Sequence, residues 1–177
     1  KGYIGIEDNK PEAVKVLTEA FASVPEVTVE ALPTKYPQGA EKMLIKAVTD
    51  REVEPGGLPM DVGCVVSNVG TVIAITDAVC HGIPFIERVT TVTGDCIKEP
   101  KNLSLRIGTP FQYAIDYCGG FSSQPDRVIA GGPMMGLAQF QLDVPVAKGV
   151  SGILALSPEK CQVGVEDPCI RCGRCVD

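Results

Sequence analysis

The 177-residue sequence ends in "DPCIRCGRCVD", with Cys169, Cys172 and Cys175 at C-x2-C-x2-C spacing. Soft thiolates suit iron, and each iron of a [4Fe–4S] cluster needs one terminal ligand, so the spacing reads as the start of a ferredoxin-type run that continues x3-C-P. Residues spaced by three on a tight loop turn their side chains toward one point, and Gly173 leaves the backbone free to wrap the cluster. Counting on from Cys175, the fourth cysteine of such a run falls beyond Asp177. In two-cluster ferredoxins that cysteine serves the other cluster, so the motif itself supplies three ligands. Zinc is the rival, but its structural sites pair C-x2–4-C with a second, distant pair, and only Cys161 is spare here. The sequence opens "KGYIGIED", without an initiator methionine. Together with the interrupted motif, this gives the expectation of an excised piece of a longer protein.

Two further stretches have residue types suited to ligands. In "KYPQGAEKMLI", Tyr36, a proline turn and Gly39 lead into a helix start, where backbone N–H groups and the helix dipole favour an anion. Gly39 permits close approach, and Glu41 or Lys42 is placed to touch a ribose or phosphate. The plainer reading is a loop capping an ordinary helix, since this is no G-x-G-x-x-G. In "VVSNVGTV", Ser67 and Asn68 end a strand where α/β folds bind ligands, or else simply cap the next helix. His81, the single histidine, follows Cys80 and is expected to cap a helix C-terminus. "GGPMMG" reads as a turn with its methionines as packing filler.

The elements that must position these residues alternate. "GYIGIE" is strand-like, and Asn9 with Glu12 forms a capping box ahead of the helical stripe Val14, Leu17 and Phe21, with Pro11 in the first turn. "VTVEAL" alternates as a half-buried strand. "AEKMLIKAV" is a short helix with apolar Met43, Leu44, Ala47 and Val48. "CVVSN" reads as a short buried strand, and "GTVIAITDAVCHG" as a helix stopped by Gly82 and Pro84. This rhythm points to a parallel or mixed α/β layer. From about residue 88 the rhythm changes. "RVTTVTGD" and "NLSLRI" are strands flanking a turn. "TPFQYAIDYCGG" is a helix with a Thr109–Gln112 capping box and the stripe Phe111, Ala114, Ile115 and Cys118. "DRVIAGG" and "SGILALS" are strands, and the whole suggests a small α+β module of β-grasp type.

Composition sets limits. Hydrophobic residues make up 45% of the chain, enough for a real core, and with no tryptophan that core is built from Val, Ile, Leu and Ala. A net charge of −6 without a basic cluster argues against nucleic-acid binding. No apolar run is long enough to span a bilayer. The eight cysteines favour a reduced metal-binding protein over a disulfide framework. Cys64, Cys80, Cys96, Cys118 and Cys161 stand singly and are expected to be mostly small buried hydrophobes.

Taken together, "YIGIEDNKPEAVKVL", "KYPQGAEKMLI", "VSNVGTVIAITDAV", "PFIERVTTVTGD", "AGGPMMG", "DVPVAKGVSGILAL" and "PCIRCGRCV" resemble the C subunit of the Rnf (also Rsx) electron-transport complex. That family is in turn similar to the NADH-binding flavoprotein of respiratory complex I. The resemblance covers nearly the whole chain. It implies the C-terminal part of a Rossmann-like FMN/NADH-binding domain over residues 1–88, then an SLBB (soluble-ligand-binding β-grasp) domain over 89–140. A returning strand and linker over 141–160 and the truncated start of a 4Fe–4S ferredoxin-type domain over 161–177 follow. The implied work is electron transfer between ferredoxin and NAD(H) through FMN and two [4Fe–4S] clusters, coupled to ion translocation. The implied setting is peripheral, on the cytoplasmic side of the inner membrane, among the other subunits of the complex.

Residue by residue, Tyr36, Gly39 and Glu41 stand where the flavoprotein has a Tyr, a Gly and a Glu near flavin and nicotinamide, and Asn68 where its Asn helps hold the flavin. Ala40 and Gly70 depart from that pattern, each replacing an acidic residue. The family's Gly-rich phosphate loop would lie before residue 1. This piece alone is therefore expected to bind FMN and NADH poorly and to be inactive. The rival readings are a β-grasp docking module without redox work, and a zinc-stabilised structural protein.

Overall fold

The computed structural model describes residues 1–162, so Cys169, Cys172 and Cys175 lie outside the described residues. The chain divides into two compact units, Lys1–Asn68 and Val69–Asp177. The described residues carry four α-helices and two sheets, the mixed α/β architecture expected.

The first unit contains β1 (Gly2–Glu7), α1 (Pro11–Ala20), β2 (Val27–Leu32), α2 (Glu41–Thr49) and a 3-10 turn at Pro59–Val62. β1 and β2 run parallel, from Gly2 opposite Val27 to Glu7 opposite Leu32. Parallel neighbours need a crossover, and α1 provides it. Pro11 opens α1, where its missing N–H costs nothing. The Asn9–Glu12 capping box is not formed. Lys10 is the N-cap without a side-chain cap, and Asn9 Oδ1 instead accepts the Lys10 ammonium at 2.8 Å.

On α2 the inward face is turned from the expected one: Ile45 is buried, Leu44 and Val48 half-buried, and Met43 and Ala47 exposed. The cause is the contact with β1 at Gly5, where an added Cβ would lie 2.6 Å from Leu44 Cδ1. Residues 64–68 form no strand, and Val65 is 89% exposed. A strand exists only by pairing, and among the described residues this sheet has two members.

The second unit contains α3 (Val69–His81), β3 (Glu87–Thr93), β4 (Lys101–Arg106), α4 (Phe111–Tyr117), β5 (Arg127–Ala130), β6 (Leu137–Gln139) and β7 (Gly152–Leu156). The sheet order is β4-β3-β7-β5-β6. β7 returns to the centre, parallel to β3 and antiparallel to β5. Gly94 lets it in: at φ +121°, any Cβ there would stand 1.9 Å from the Ala155 carbonyl oxygen. The core gathers Val92, Leu105, Ile153 and Ala155 from the sheet with Phe111, Ala114 and Ile115 from α4 and Cys118 at its C-cap, the stripe expected.

The Thr109–Gln112 capping box does not form, because Pro110 is the N-cap and the Gln112 amide donates to Asp116 Oδ1. The first turn of α4 is capped by tertiary structure instead. Phe111 N–H donates to the Val144 carbonyl at 3.0 Å and Gln112 N–H to that of Leu142 at 2.9 Å. "GGPMMG" is a turn, closed where Gly136 approaches Ile129 too nearly for any Cβ. Its Met134 and Met135 are exposed rather than packing filler, as are Leu137 on edge strand β6 and Phe140 just after it. Only Cys96 and Cys118 of the five single cysteines are buried; Cys64 and Cys161 are half-buried and Cys80 is exposed. α3 is apolar on most sides, yet none of its residues is buried.

Candidate functional site

The site is built at the carboxyl ends of β1 and β2, which finish side by side with Glu7 opposite Leu32. Asp8, the next residue, donates its N–H to the Leu32 carbonyl at 2.8 Å. Its carboxylate accepts the Thr34 N–H at 3.0 Å and the Thr34 hydroxyl at 2.6 Å. The Thr34 hydroxyl and then its N–H hold the Asp8 carboxyl below its ordinary pKa. This clip fixes where the chain leaves β2, and so where the following loop begins.

That loop, residues 35–40, closes on itself. Gln38 N–H donates to the Lys35 carbonyl and Ala40 N–H to that of Pro37, both at 2.8 Å. The Tyr36–Pro37 peptide is cis. Tyr36 is 64% exposed, whereas Gln38 is buried, with 6% of its surface left. A Cβ on Gly39 would meet nothing within 4 Å, so space is open there. Ala40 is the N-cap of α2 and has no side-chain oxygen to cap with. Among the described residues the N–H groups of Glu41, Lys42 and Met43 find no backbone or side-chain acceptor. Orphan first-turn donors at the carboxyl edge of a parallel pair are the arrangement by which α/β folds receive acceptor-bearing ligands.

The loop and helix start thus bring Tyr36, Gly39 and Glu41 together. Lys42 is placed beside them, but its ammonium donates to the Glu54 carbonyl at 3.1 Å, tying down the segment after α2. The other end of α2 is held by Lys46, which pairs with Asp50 at 2.7 Å and Glu52 at 2.8 Å. Asn68 stands apart in the chain, exposed, as the last residue of the first unit. His81 does not reach a helix carbonyl as expected; its Nδ1 lies 3.2 Å from Asp77 Oδ1 in the last turn of α3.

Three residues escaped the sequence reading. Asp8 and Thr34 are 26 positions apart, and no local pattern links them. Gln38 sits between a proline and a glycine, a setting that predicts an exposed turn residue rather than a buried one.

Among the described residues no group of three or more His, Cys, Asp or Glu is placed to hold a metal ion. The Cys161 thiol is pushed up in pKa by burial and then by the Asp126 carboxylate. Among the described residues no helix is long and apolar enough to cross a membrane.

Comparison with known proteins identifies related domains and chains. The model of the Nuo51 FMN-binding domain matches residues 1–77, and that of the SLBB domain matches residues 89–138. Three relatives are C subunits of ion-translocating complexes. The chain is 60% identical over 176 residues to that of the proton-translocating ferredoxin:NAD(+) oxidoreductase complex of Clostridium ljungdahlii, covering 99% of this chain and 38% of the relative. It is 53% identical over 176 residues to that of the Na(+)-translocating ferredoxin:NAD(+) oxidoreductase complex of Acetobacterium woodii, covering 99% and 40%. It is 43% identical to that of the ion-translocating oxidoreductase complex of Rhodobacter capsulatus, covering 98% and 34%. The chain therefore spans two fifths or less of the length of these relatives.

Proposed function

By sequence this chain belongs with the C subunits of the ion-translocating oxidoreductase complexes, and we propose that it is the part of such a subunit that presents FMN and NAD(H) to one another and leads on to [4Fe–4S] clusters. The observation that carries the reading is the coincidence of the matched FMN-binding stretch, residues 1–77, with the open loop and uncapped α2 start at the carboxyl edge of β1 and β2. In the whole subunit the electrons pass between ferredoxin and NAD, coupled to translocation of an ion, with the other subunits of the complex as partners. The subunit is peripheral, on the cytoplasmic side of the membrane. The division into 1–88, 89–140, 141–160 and 161–177 belongs to the same reading, and the matched stretches 1–77 and 89–138 support its first two parts.

The residues of this chain would bind and orient rather than donate or accept protons. Tyr36 offers an exposed ring for stacking, Gly39 an open approach, and Glu41 an acceptor for hydroxyl or amide donors of a nucleotide. Lys42 holds the loop after α2, and Asn68 contributes an amide toward the flavin. FMN, when bound, supplies the two-electron to one-electron conversion that protein side chains cannot. Cys169, Cys172 and Cys175 supply thiolates to a cluster.

The test is to purify the full-length subunit without oxygen and count iron and acid-labile sulfide. About eight of each per chain is expected for two [4Fe–4S] clusters, with NADH-linked reduction of a dye after flavin loading. Zinc in place of iron overturns the cluster assignment. A second reading, a docking module without redox work, is favoured by the exposed Met134, Met135, Leu137 and Phe140 at one edge of the second unit. It stands if the flavin-loaded subunit reduces no dye with NADH.

A further inference from the structure

We propose that the side-chain amide of Gln38 is a contact to the bound dinucleotide, hydrogen-bonding a neutral polar group of it, a ribose hydroxyl or the carboxamide, at the start of α2. The assignment rests on the nucleotide-site reading above and goes beyond it by naming a residue and the chemistry that residue recognises.

Gln38 and Thr90 are the two buried polar side chains of the described residues. The Thr90 hydroxyl donates to the Val150 carbonyl at 3.1 Å. No partner is found for the Gln38 amide among the described residues. A buried amide left without partners loses the hydrogen bonds it had in water, and native proteins retain few such groups without a use for them. The amide is nevertheless not sealed: the single fully enclosed, unpaired side-chain nitrogen or oxygen described is Arg88 Nε. Gln38 therefore keeps its last accessible surface partly at its polar end, open to a ligand of the right chemistry.

The surroundings decide that chemistry. Gln38 lies in the chain two residues ahead of the N-cap Ala40, in the loop that leads into the uncapped first turn of α2. The donors of that turn alone would favour a phosphate. Glu41, however, occupies the first helical position, and its carboxylate repels a dianion brought to the same spot. A neutral group escapes that repulsion. It can also accept from the N–H groups while exchanging both a donor and an acceptor with the glutamine amide. The open space at Gly39 leaves room for it, and the Asp8–Thr34 clip holds the loop in place before it arrives.

The test uses the full-length, FMN-loaded subunit and direct titration with NADH and with ADP-ribose, which lacks the nicotinamide. Gln38→Leu keeps the volume and removes the amide; Gln38→Met reads the same contact if the leucine variant does not fold. NADH is expected to bind about tenfold more weakly to either variant, with FMN content unchanged and the melting temperature not lowered. Parallel weakening of ADP-ribose identifies the ribose as the group recognised, and unchanged ADP-ribose binding identifies the carboxamide. Wild-type affinity for NADH in the variants overturns the assignment while leaving the nucleotide site standing. So does loss of FMN with NADH affinity intact. Absence of NADH binding in the wild-type subunit overturns the nucleotide-site reading itself, and this assignment with it.

Discussion

Thirteen buried hydrophobic residues lie in the second unit and one, Ile45, in the first, among the residues described. The two units have similar apolar raw material. β1 and β2 carry Ile4, Ile6, Val27, Val29 and Leu32, as good a strand sequence as β3 or β7, yet none of these is fully buried. The difference is closure. In the second unit β7 returns to the middle of the sheet and α4 lies across it, so that each inward side chain meets others. In the first, among the described residues, α1 packs on β2 and α2 on β1, whereas parallel sheets are normally covered on both faces by more.

The helix starts repeat the contrast. The first N–H groups of α4 are satisfied by carbonyls from residues 142–144, those of α2 by nothing described. One unit spends its polar groups on its own stability, while the other leaves them available.

The largest expected effect tests the buried cores against each other. Phe111→Ala should destabilise the second unit by about 3–5 kcal/mol, because a fully enclosed ring leaves a cavity the packed sheet cannot collapse into. Ile45→Ala should cost the first unit about 2 kcal/mol, the low end of the range for such truncations, since its half-exposed neighbours can relax. Urea unfolding of the two variants measures both, and equal losses would erase the contrast.

Next is the loop as a site. Glu41→Gln in the full-length subunit should weaken NADH binding by the equivalent of roughly 1–3 kcal/mol through loss of a charged acceptor. Unchanged titration curves would return residues 35–42 to an ordinary helix-capping loop.

A smaller effect tests the two helix starts. Ala40→Ser should stabilise the first unit by about 1 kcal/mol by capping orphan donors of α2. Pro110→Ser should gain nothing from capping, as the donors of α4 already have partners. A cap that helps α4 and not α2 would reverse the comparison.

The smallest effect concerns one carboxylate in each unit. Asp95 is held below its ordinary pKa by the Ser157 hydroxyl and then by the Ser157 N–H, as Asp8 is by Thr34. A depressed carboxyl stabilises the fold above its ordinary value of 3.8, and that stability is lost as pH falls through the lowered folded value. Melting curves from roughly pH 6 down to 2 should therefore fall less steeply in Asp95→Asn and Asp8→Asn than in the parent. A wild-type slope in both would mean the bonds do not persist in solution.

Much of the second unit was legible in advance. The spacing of Phe111, Ala114, Ile115 and Cys118 specified a buried helix face, and "RVTTVTGD" and "NLSLRI" read as strands flanking a turn, which the antiparallel β3–β4 pair bears out. The expected helix caps failed for different reasons: at Asn9–Glu12 the Asn9 oxygen accepts from the neighbouring Lys10 ammonium, whereas at Thr109–Gln112 distant carbonyls took the donors. A capping box is a local motif that competes with whatever the rest of the fold brings near, and at α4 the 142–144 carbonyls came nearer. At α2 the apolar positions were visible but the inward face was not, because it is set by the close approach to Gly5 on a different strand.

The candidate site divides in the same way. Tyr36, Gly39, Glu41 and Asn68 could be named because their types and order resemble a known family, and Lys42 because it stands at a helix start. The buried amide of Gln38 and the Asp8–Thr34 clip could not, because each depends on contacts between segments far apart in the chain.

The sequence by itself determined most of the element types, residues 64–68 and β6 excepted, and the thiolate spacing of its last residues, all properties of a few neighbouring positions. Only the tertiary structure decided that β7 sits at the centre of its sheet, that carbonyls from 142–144 rather than a side chain cap α4, and that Gln38 is buried without a partner. Periodicity and turn chemistry act over one or two turns of chain. Strand order, caps borrowed from distant carbonyls and burial arise where separate segments meet, and no short stretch of residues records that meeting.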